Sequence, residues 1–307
     1  MIATVRKELI ERIVRIRPGL SPKKRRVADF MMEDYKRLFL MSAKEIAQKC
    51  QVSEPTITRF VMDLGFTGYG EFEQYLKGLL RDELTSVERL LKTDHQADAT
   101  TTLNAYCQNT SMNLENMIKS VSEAELKNLA RIIFKAASVM VAGYKASTAL
   151  AFYLGYLLKK IKEGVLIDTQ SSWENLDYIA LHGESLLLFV IAFPRYPLKA
   201  IEIAEYAKQY RTEVVCLSDS LKSPIINLAD HYVVVDMEGF SFVDPFAHII
   251  TFLGALVHEI AYLDKDATAR RLSQIEDGVR RRQDFFLEEK DEPADYDPLK
   301  IEYYNNT

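Results

Sequence analysis

The sequence predicts two folds in tandem: an all-α domain containing a helix-turn-helix, then an α/β domain with a five-stranded parallel sheet flanked by helices. Up to about residue 92, apolar residues recur at helical spacing with turn-sized gaps, and no period-two alternation appears. Further on come short apolar runs at Val139–Ala142, Val165–Ile167, Leu186–Ala192, Val214–Leu217 and Tyr232–Val235. Runs apolar on both faces, separated by helical stretches, suit a parallel sheet covered on two sides. The expected division is 1–92 for the helical domain, 93–122 for a helical linker, 123–285 for the α/β domain and 286–307 for an acidic, flexible tail.

Local signals justify the elements in order. Ser42-Ala43-Lys44-Glu45 is a capping box, in which the serine accepts from the helix N–H groups and the glutamate reaches back. It opens a short helix carrying Ile46 and Ala47, followed by a tight turn at Cys50-Gln51-Val52. Ser53 can cap a second helix, with Pro55 in its first turn, where a missing N–H is harmless. That helix buries Ile57, Phe60, Val61 and Leu64. A helix over about Ala97–Ile118 carries Leu103, Tyr106, Leu114 and Met117 as one apolar stripe and braces or connects the domains. A second capping box, Ser122 to Glu125, starts a helix running to about Ala136. Long helices at Pro245–Leu263 and from about Ala267 close the chain's second half.

The chain of 307 residues has a net charge of −5, but the charge is uneven. Met1–Lys92 holds 18 basic and 13 acidic residues, Thr93–Gln283 holds 19 and 23, and Asp284–Thr307 holds 2 and 8. A basic head on an acidic body suits a modular DNA binder, because only the head must meet phosphates. The three cysteines, Cys50, Cys107 and Cys216, show neither CxxC pairing nor metal-ligand spacing. They point to a reducing compartment, with no structural metal or cofactor. The first residues lack an uninterrupted apolar core for a signal peptide, and the longest apolar run, Leu186–Phe193, is too short to span a bilayer. A cytoplasmic protein without a membrane partner is expected.

On the second short helix, Glu54, Pro55, Thr58 and Arg59 face outward and suit base edges in a major groove. Ser53 and Thr56, at its N-terminus, suit phosphate oxygens. Lys44 lies on the preceding helix, and Lys23, Lys24, Arg25 and Arg26 can contact the backbone from the flank. The alternative on spacing alone is a packed helical hairpin with a solvated polar face.

Leu20 to Phe72 closely resembles the N-terminal domain of RpiR-type bacterial transcription regulators. The likeness rests on the Leu-Ser start, the Arg-x-Ala-x-Phe helix, Ser42-x-x-Glu45-Ile46-Ala47, Val52-Ser53, Thr56, Arg59-Phe60 and Leu64-Gly65-Phe66-x-Gly68-Tyr69. Gln51 stands where the family usually has glycine; in a left-handed turn it costs about 1 kcal/mol. Residues from about Leu126 to Leu263 are similar to the family's sugar isomerase (SIS) domain, an α/β effector-binding fold. Gly143-Tyr144-Lys145-Ala146-Ser147 matches the family's Gly-x-Gly-x-Ser loop at its first glycine and its serine. Leu217-Ser218-Asp219-Ser220, Ser223-Pro224 and Ala229-Asp230 match later features, and Ala192-Phe193-Pro194-Arg195-Tyr196-Pro197 occupies the position of a serine-rich loop. That Phe-Pro-Arg-Tyr form resembles one subgroup.

In phosphosugar-binding SIS domains, hydroxyls and glycine N–H groups at helix N-termini cradle a phosphate. Here Ser147 and Thr148 remain, Lys145 replaces a glycine, and the second loop has exchanged its serines for Arg195, a fork suited to carboxylate or phosphate. The resemblance therefore implies a small anionic effector, a phosphosugar or another carbohydrate derivative, with Gly143, Lys145, Ser147, Thr148, Asp168, Arg195, Ser218 and Glu238 lining the cleft. Arg195 paired with a neighbouring acid and Lys145 simply solvated are the alternatives.

A phosphosugar isomerase would need a poised Glu or His base, for which Glu238, His248 and His258 are the candidates. Both histidines fall in an apolar helical pattern that favours packing, and a DNA-reading head gives an isomerase no evident purpose. A DNA-binding protein without an effector is the third class. The expectation is a non-enzymatic, effector-responsive transcription factor that binds a palindromic double-stranded operator as a homodimer or homotetramer. The Phe252–Leu263 region and the Ala97–Ile118 helix are the expected interface elements.

Overall fold

A computed structural model describes residues 2–33, 41–73, 75–76, 87, 89–90, 99–239 and 241–285. The expected acidic tail, 286–307, and the start of the expected linker, 93–98, lie outside the described residues. Apart from a short stretch at 240–243, the chain divides between Thr102 and Leu103 into two compact units.

The first unit contains helices α1 (Ile2–Ile16), α2 (Pro22–Glu33), α3 (Ala43–Lys49) and α4 (Glu54–Asp63). Its core gathers Leu9 and Ile13 from α1, Val27, Ala28 and Met31 from α2, Ile46 and Ala47 from α3, and Ile57, Phe60 and Val61 from α4. In α1, α2 and α4 these positions recur at three- or four-residue spacing, so each of these helices turns one apolar stripe inward. Phe66 and Phe72 close the core edge to face, with ring centroids 5.2 Å apart. The Ser42 capping box is formed on both sides, with Glu45 accepting from the Ser42 N–H at 2.6 Å and Ser42 Oγ accepting from the Glu45 N–H at 3.3 Å.

The second unit opens with α5 (Ala99–Ser120), in which Ala99–Thr102 precede the boundary, and α6 (Glu123–Lys135). The doubly wound region follows: β1 (Ser138–Gly143), α7 (Thr148–Ile161), β2 (Val165–Asp168), α8 (Trp173–His182), β3 (Leu186–Ile191), α9 (Leu198–Gln209), β4 (Glu213–Ser218) and β5 (His231–Val234). Helices α10 (Ala247–Leu263) and α11 (Lys265–Arg282) come last. All five expected strand runs form strands, paired in parallel in the order β2-β1-β3-β4-β5. Val139, Val141, Leu187, Phe189, Val215 and Leu217 face one layer, with residues of α6, α7 and α10. Met140, Leu188, Val190, Val214 and Cys216 face the other, with residues of α8 and α9. Strict alternation along each strand explains why the central runs read as continuously apolar: both faces are dry.

The structure corrects three expectations. On α5, Leu103 is 70% exposed, and the buried positions are Asn109 and Asn113. Only the C-terminal part of the expected stripe reaches the core, where Met117 packs. Phe252, Leu253, Leu256 and Ile260 of α10 are buried in the domain's own core, so within the expected interface region Phe252–Leu263 the large side chains left at the surface include Tyr262 and Leu263. Helix α11 starts at Lys265 because the Asp264 side chain accepts from the Ala267 N–H at 2.9 Å, an N-cap that the apolar pattern did not reveal.

Candidate functional site

Two regions gather the residues singled out by the sequence. In the first, the turn between α3 and α4 is closed by the Val52 N–H donating to the Ala47 carbonyl at 2.9 Å. Gln51 adopts φ 52°, the left-handed conformation expected of it, and its carbonyl accepts from Arg26 at 3.0 Å. Gly65, at φ 97°, follows the end of α4 in a conformation costly for any other residue.

Glu54, Pro55, Thr58 and Arg59 line one shallow surface depression on α4. Arg59 Nε donates to the Pro55 carbonyl at 3.1 Å and Thr58 Oγ1 to the Glu54 carbonyl at 3.4 Å, both bonds within the helix itself. Ser53 holds the N-cap position, but its hydroxyl pairs with Thr56 Oγ1 at 3.0 Å instead of capping a backbone N–H. Thr56 is only 8% exposed, so of the two hydroxyls expected to meet phosphate only Ser53 lies at the surface. Lys24 is bound to the Asp63 carboxylate and Arg25 reaches the Leu20 carbonyl, which ties both flanking cations to their own domain. Lys23 and Lys44 are exposed.

The second region is set by topology. After β1 the chain crosses one face through α7 to β2, and after β3 it crosses the other face through α9 to β4. The loops leaving β1 and β3 therefore part in opposite directions, and the crevice between them is where open α/β sheets bind ligands. Gly143 ends β1 there: a Cβ would lie 2.6 Å from the Ser147 carbonyl oxygen and 2.8 Å from Ala151 Cβ, so only glycine lets α7 start so close. Thr148 Oγ1 donates back to the Gly143 carbonyl at 3.3 Å, and Ser147 is buried at the start of α7. Lys145 is exposed at φ 57° and Arg195 is exposed on the β3 loop. Neither cation has an acidic partner among the described residues, so the expected alternative of an ion pair at Arg195 is not realised there.

The remaining cleft residues brace the loops. Asp168 is buried; Oδ2 accepts from the Tyr144 hydroxyl at 2.5 Å and Oδ1 from the Ser171 N–H at 2.8 Å. Burial, reinforced by that carboxylate, pushes the Tyr144 hydroxyl pKa far up, so the tyrosine stays a donor. Ser218 is buried and donates to the Ala192 carbonyl at 2.7 Å, and the Tyr196 hydroxyl donates to Asp219 Oδ1 at 2.9 Å. Asp168 and Ser218 thus hold neighbouring loops instead of presenting free groups to a ligand. Glu238 is exposed, and its backbone is gripped by the Asn113 side chain. His248 is buried, with Nε2 2.9 Å from the Asp236 carbonyl; burial pulls its pKa down. His258 is exposed and lies against the Tyr262 ring, so the three candidate bases serve three different surroundings.

Tyr144, Tyr196, Asp219 and Asn113 were not singled out from the sequence. The two tyrosines and Asp219 sit inside stretches that the sequence did mark, without a role being assigned to them. Asn113 lies in a helix with no motif around it, and no sequence signal marks it.

Comparison with known proteins agrees with this division. Residues 7–83 match the model of the helix-turn-helix domain of the rpiR family, and residues 132–258 match that of the SIS domain. An uncharacterised HTH-type transcriptional regulator of Haemophilus influenzae is 25% identical over 230 residues, 74% of this chain and 79% of its own. The HTH-type transcriptional regulator HexR of Pseudomonas aeruginosa is 22% identical over 69% of this chain and 73% of its own. Among solved structures, the sugar isomerase domain of an RpiR transcription factor from Sphaerobacter thermophilus superposes with a TM-score of 0.54 at 20% identity, over 57% of this chain and 98% of that one. The Vibrio vulnificus NanR protein, complexed with ManNAc-6P, gives 0.52 at 19% identity over 89% and 99%. At these identities the two structures establish the fold. No helix among the described residues is long and apolar enough to cross a membrane.

Proposed function

We propose that the chain, which joins an rpiR-family helix-turn-helix domain to a SIS domain, is an RpiR-type regulator that binds operator DNA under the control of a small anionic metabolite. Helix α4 is the reading element, with Glu54, Pro55, Thr58 and Arg59 toward base edges and Ser53 and Lys44 toward phosphates. Two such heads, brought together in a homodimer or homotetramer, would read a palindromic site.

The observation that carries the effector reading is the pair of exposed cations, Lys145 and Arg195, on the two loops that part at the switch point. The acids at the ends of the neighbouring strands β2 and β4, Asp168 and Asp219, already accept from Tyr144 and Tyr196. An anion entering the crevice would thus meet two cations and the buried Ser147 at the start of α7. Regulation follows if the anion favours one arrangement of the paired heads over another.

A thermal-shift screen of the full chain against sugar phosphates, ManNAc-6P among them, and against non-phosphorylated carboxylates tests this reading. A ligand at a hundred times its Kd adds about 2.7 kcal/mol. Stabilisation by one class, lost in Arg195→Ala, supports the site and names the ligand chemistry. Stabilisation that survives Arg195→Ala would move the site elsewhere, and no stabilisation by any anion would sink the effector reading.

A further inference from the structure

We infer that the Asp236–Glu238 segment is a relay, through which the effector crevice is coupled to helix α5 by the Asn113 side-chain amide. The inference deepens the effector reading above and rests on it for the meaning of the crevice.

The coupling is a contiguous run of hydrogen bonds inside the second unit. At the crevice, the Tyr196 hydroxyl, one residue beyond Arg195, donates to Asp219 Oδ1 at 2.9 Å. The preceding residue, Ser218, bonds the β3 loop through the Ala192 carbonyl, and its own carbonyl accepts from the Val235 N–H at 2.9 Å. Val235 leads directly into Asp236, whose carbonyl is held by His248 of α10 at 2.9 Å. Two residues later, Asn113 Nδ2 donates to the Glu238 carbonyl at 3.0 Å, and the Glu238 N–H donates to Asn113 Oδ1 at 3.2 Å. The amide thus completes both backbone groups of Glu238, as a neighbouring strand would, across 125 positions of sequence.

Helix α5 is the element by which the chain enters this domain from the DNA-reading side. Its choice of buried residues points to the same role. The helix buries Asn109 and Asn113 and leaves Leu103, Met112 and Ile118 more than half exposed. A buried amide is costly unless both its donor and its acceptor are met, so its pairing specifies one position of the helix against the loop, where an apolar contact would tolerate sliding. Asn113 is a positioning residue: it touches the relay, not the anion.

Hydrogen–deuterium exchange of the full chain tests the coupling without needing the effector or the operator. Tyr196→Phe removes one hydroxyl at the crevice end. It is expected to speed exchange at Glu238 and in α5 around Asn113 by about two- to tenfold, the range of one net hydrogen bond. In an Asn113→Ala background the same substitution should leave α5 exchange unchanged, because the relay is already cut. Asn113→Leu, which removes donor and acceptor but keeps the volume, supplies a second background if the alanine variant does not fold. A Tyr196→Phe effect confined to the β3 and β4 loops, or one on α5 that persists undiminished without the Asn113 amide, would overturn the relay. Either outcome is separate from the anion screen, whose failure would remove the effector and leave the mechanical coupling measurable.

Discussion

The polar residues of α4, the proposed reading helix, and those of the crevice are held in opposite ways. On α4, Thr58 and Arg59 bond only to carbonyls of their own helix, and Glu54, Pro55 and Arg59 lie exposed. At the strand ends, Asp168, Ser218 and Asp219 are buried and bonded to residues of other loops. A surface that must meet a macromolecule keeps its groups in water until the partner replaces that water. A crevice for a small molecule must first hold its loops in place, and its buried polar groups do that work. The lesson is that a polar residue at a strand end is first a brace, so in the proposed site ligand contact would fall to exposed neighbours such as Lys145 and Arg195.

The largest test of that contrast is Asp168→Ala. It strands the Tyr144 hydroxyl and the Ser171 N–H, and should cost about 3 kcal/mol in denaturant unfolding of the SIS domain. If stability held while anion binding vanished, Asp168 would be a ligand residue and the contrast would break. Arg59→Ala should do the reverse, lowering specific operator affinity by about 1–3 kcal/mol with unfolding changed by less than about 0.5 kcal/mol. A footprint on a selected operator that is unchanged in extent and base preference would remove α4 as the reading element.

Acid should act on the second unit through His248. Its folded pKa lies below the ordinary value, so the neutral ring's contribution is complete above about pH 6.5 and is lost as pH falls further toward the folded pKa. Denaturation midpoints measured from about pH 7.5 down to about pH 5 should fall more in the wild type than in His248→Gln. Asp230, whose carboxyl burial would raise but which Lys208 and the Val214 N–H hold below the usual value, loses its contribution only in a lower window, under about pH 4. Parallel midpoint curves for the two proteins would dismiss His248 as the acid-sensitive group.

The smallest effect distinguishes two of the left-handed residues, one in each region. Gln51→Gly and Lys145→Gly each relieve a conformation that favours glycine and should raise stability by up to about 1 kcal/mol. The contrast is sharpened by what else changes. Operator binding should survive Gln51→Gly, whereas the thermal shift caused by anions should shrink in Lys145→Gly.

Much of this protein was legible in its sequence because the deciding interactions are local. A serine and a glutamate three residues apart specify both capping boxes, and period and composition mark the five strands. A family pattern with glutamine in place of glycine foretells the positive φ at residue 51. The roles of the crevice residues were decided elsewhere, by partners 23 to 26 positions away: Tyr144 for Asp168, Tyr196 for Asp219 and Ala192 for Ser218. The inward face of α5 shows the same limit. Its apolar spacing predicted a stripe, but the surface it meets includes the backbone of Glu238, whose N–H and carbonyl the Asn113 amide satisfies together. Sequence pattern reports what a segment can bury; tertiary structure decides what lies opposite, and where that is a polar backbone the facing position must supply a donor and an acceptor, which hydrophobic periodicity does not foretell.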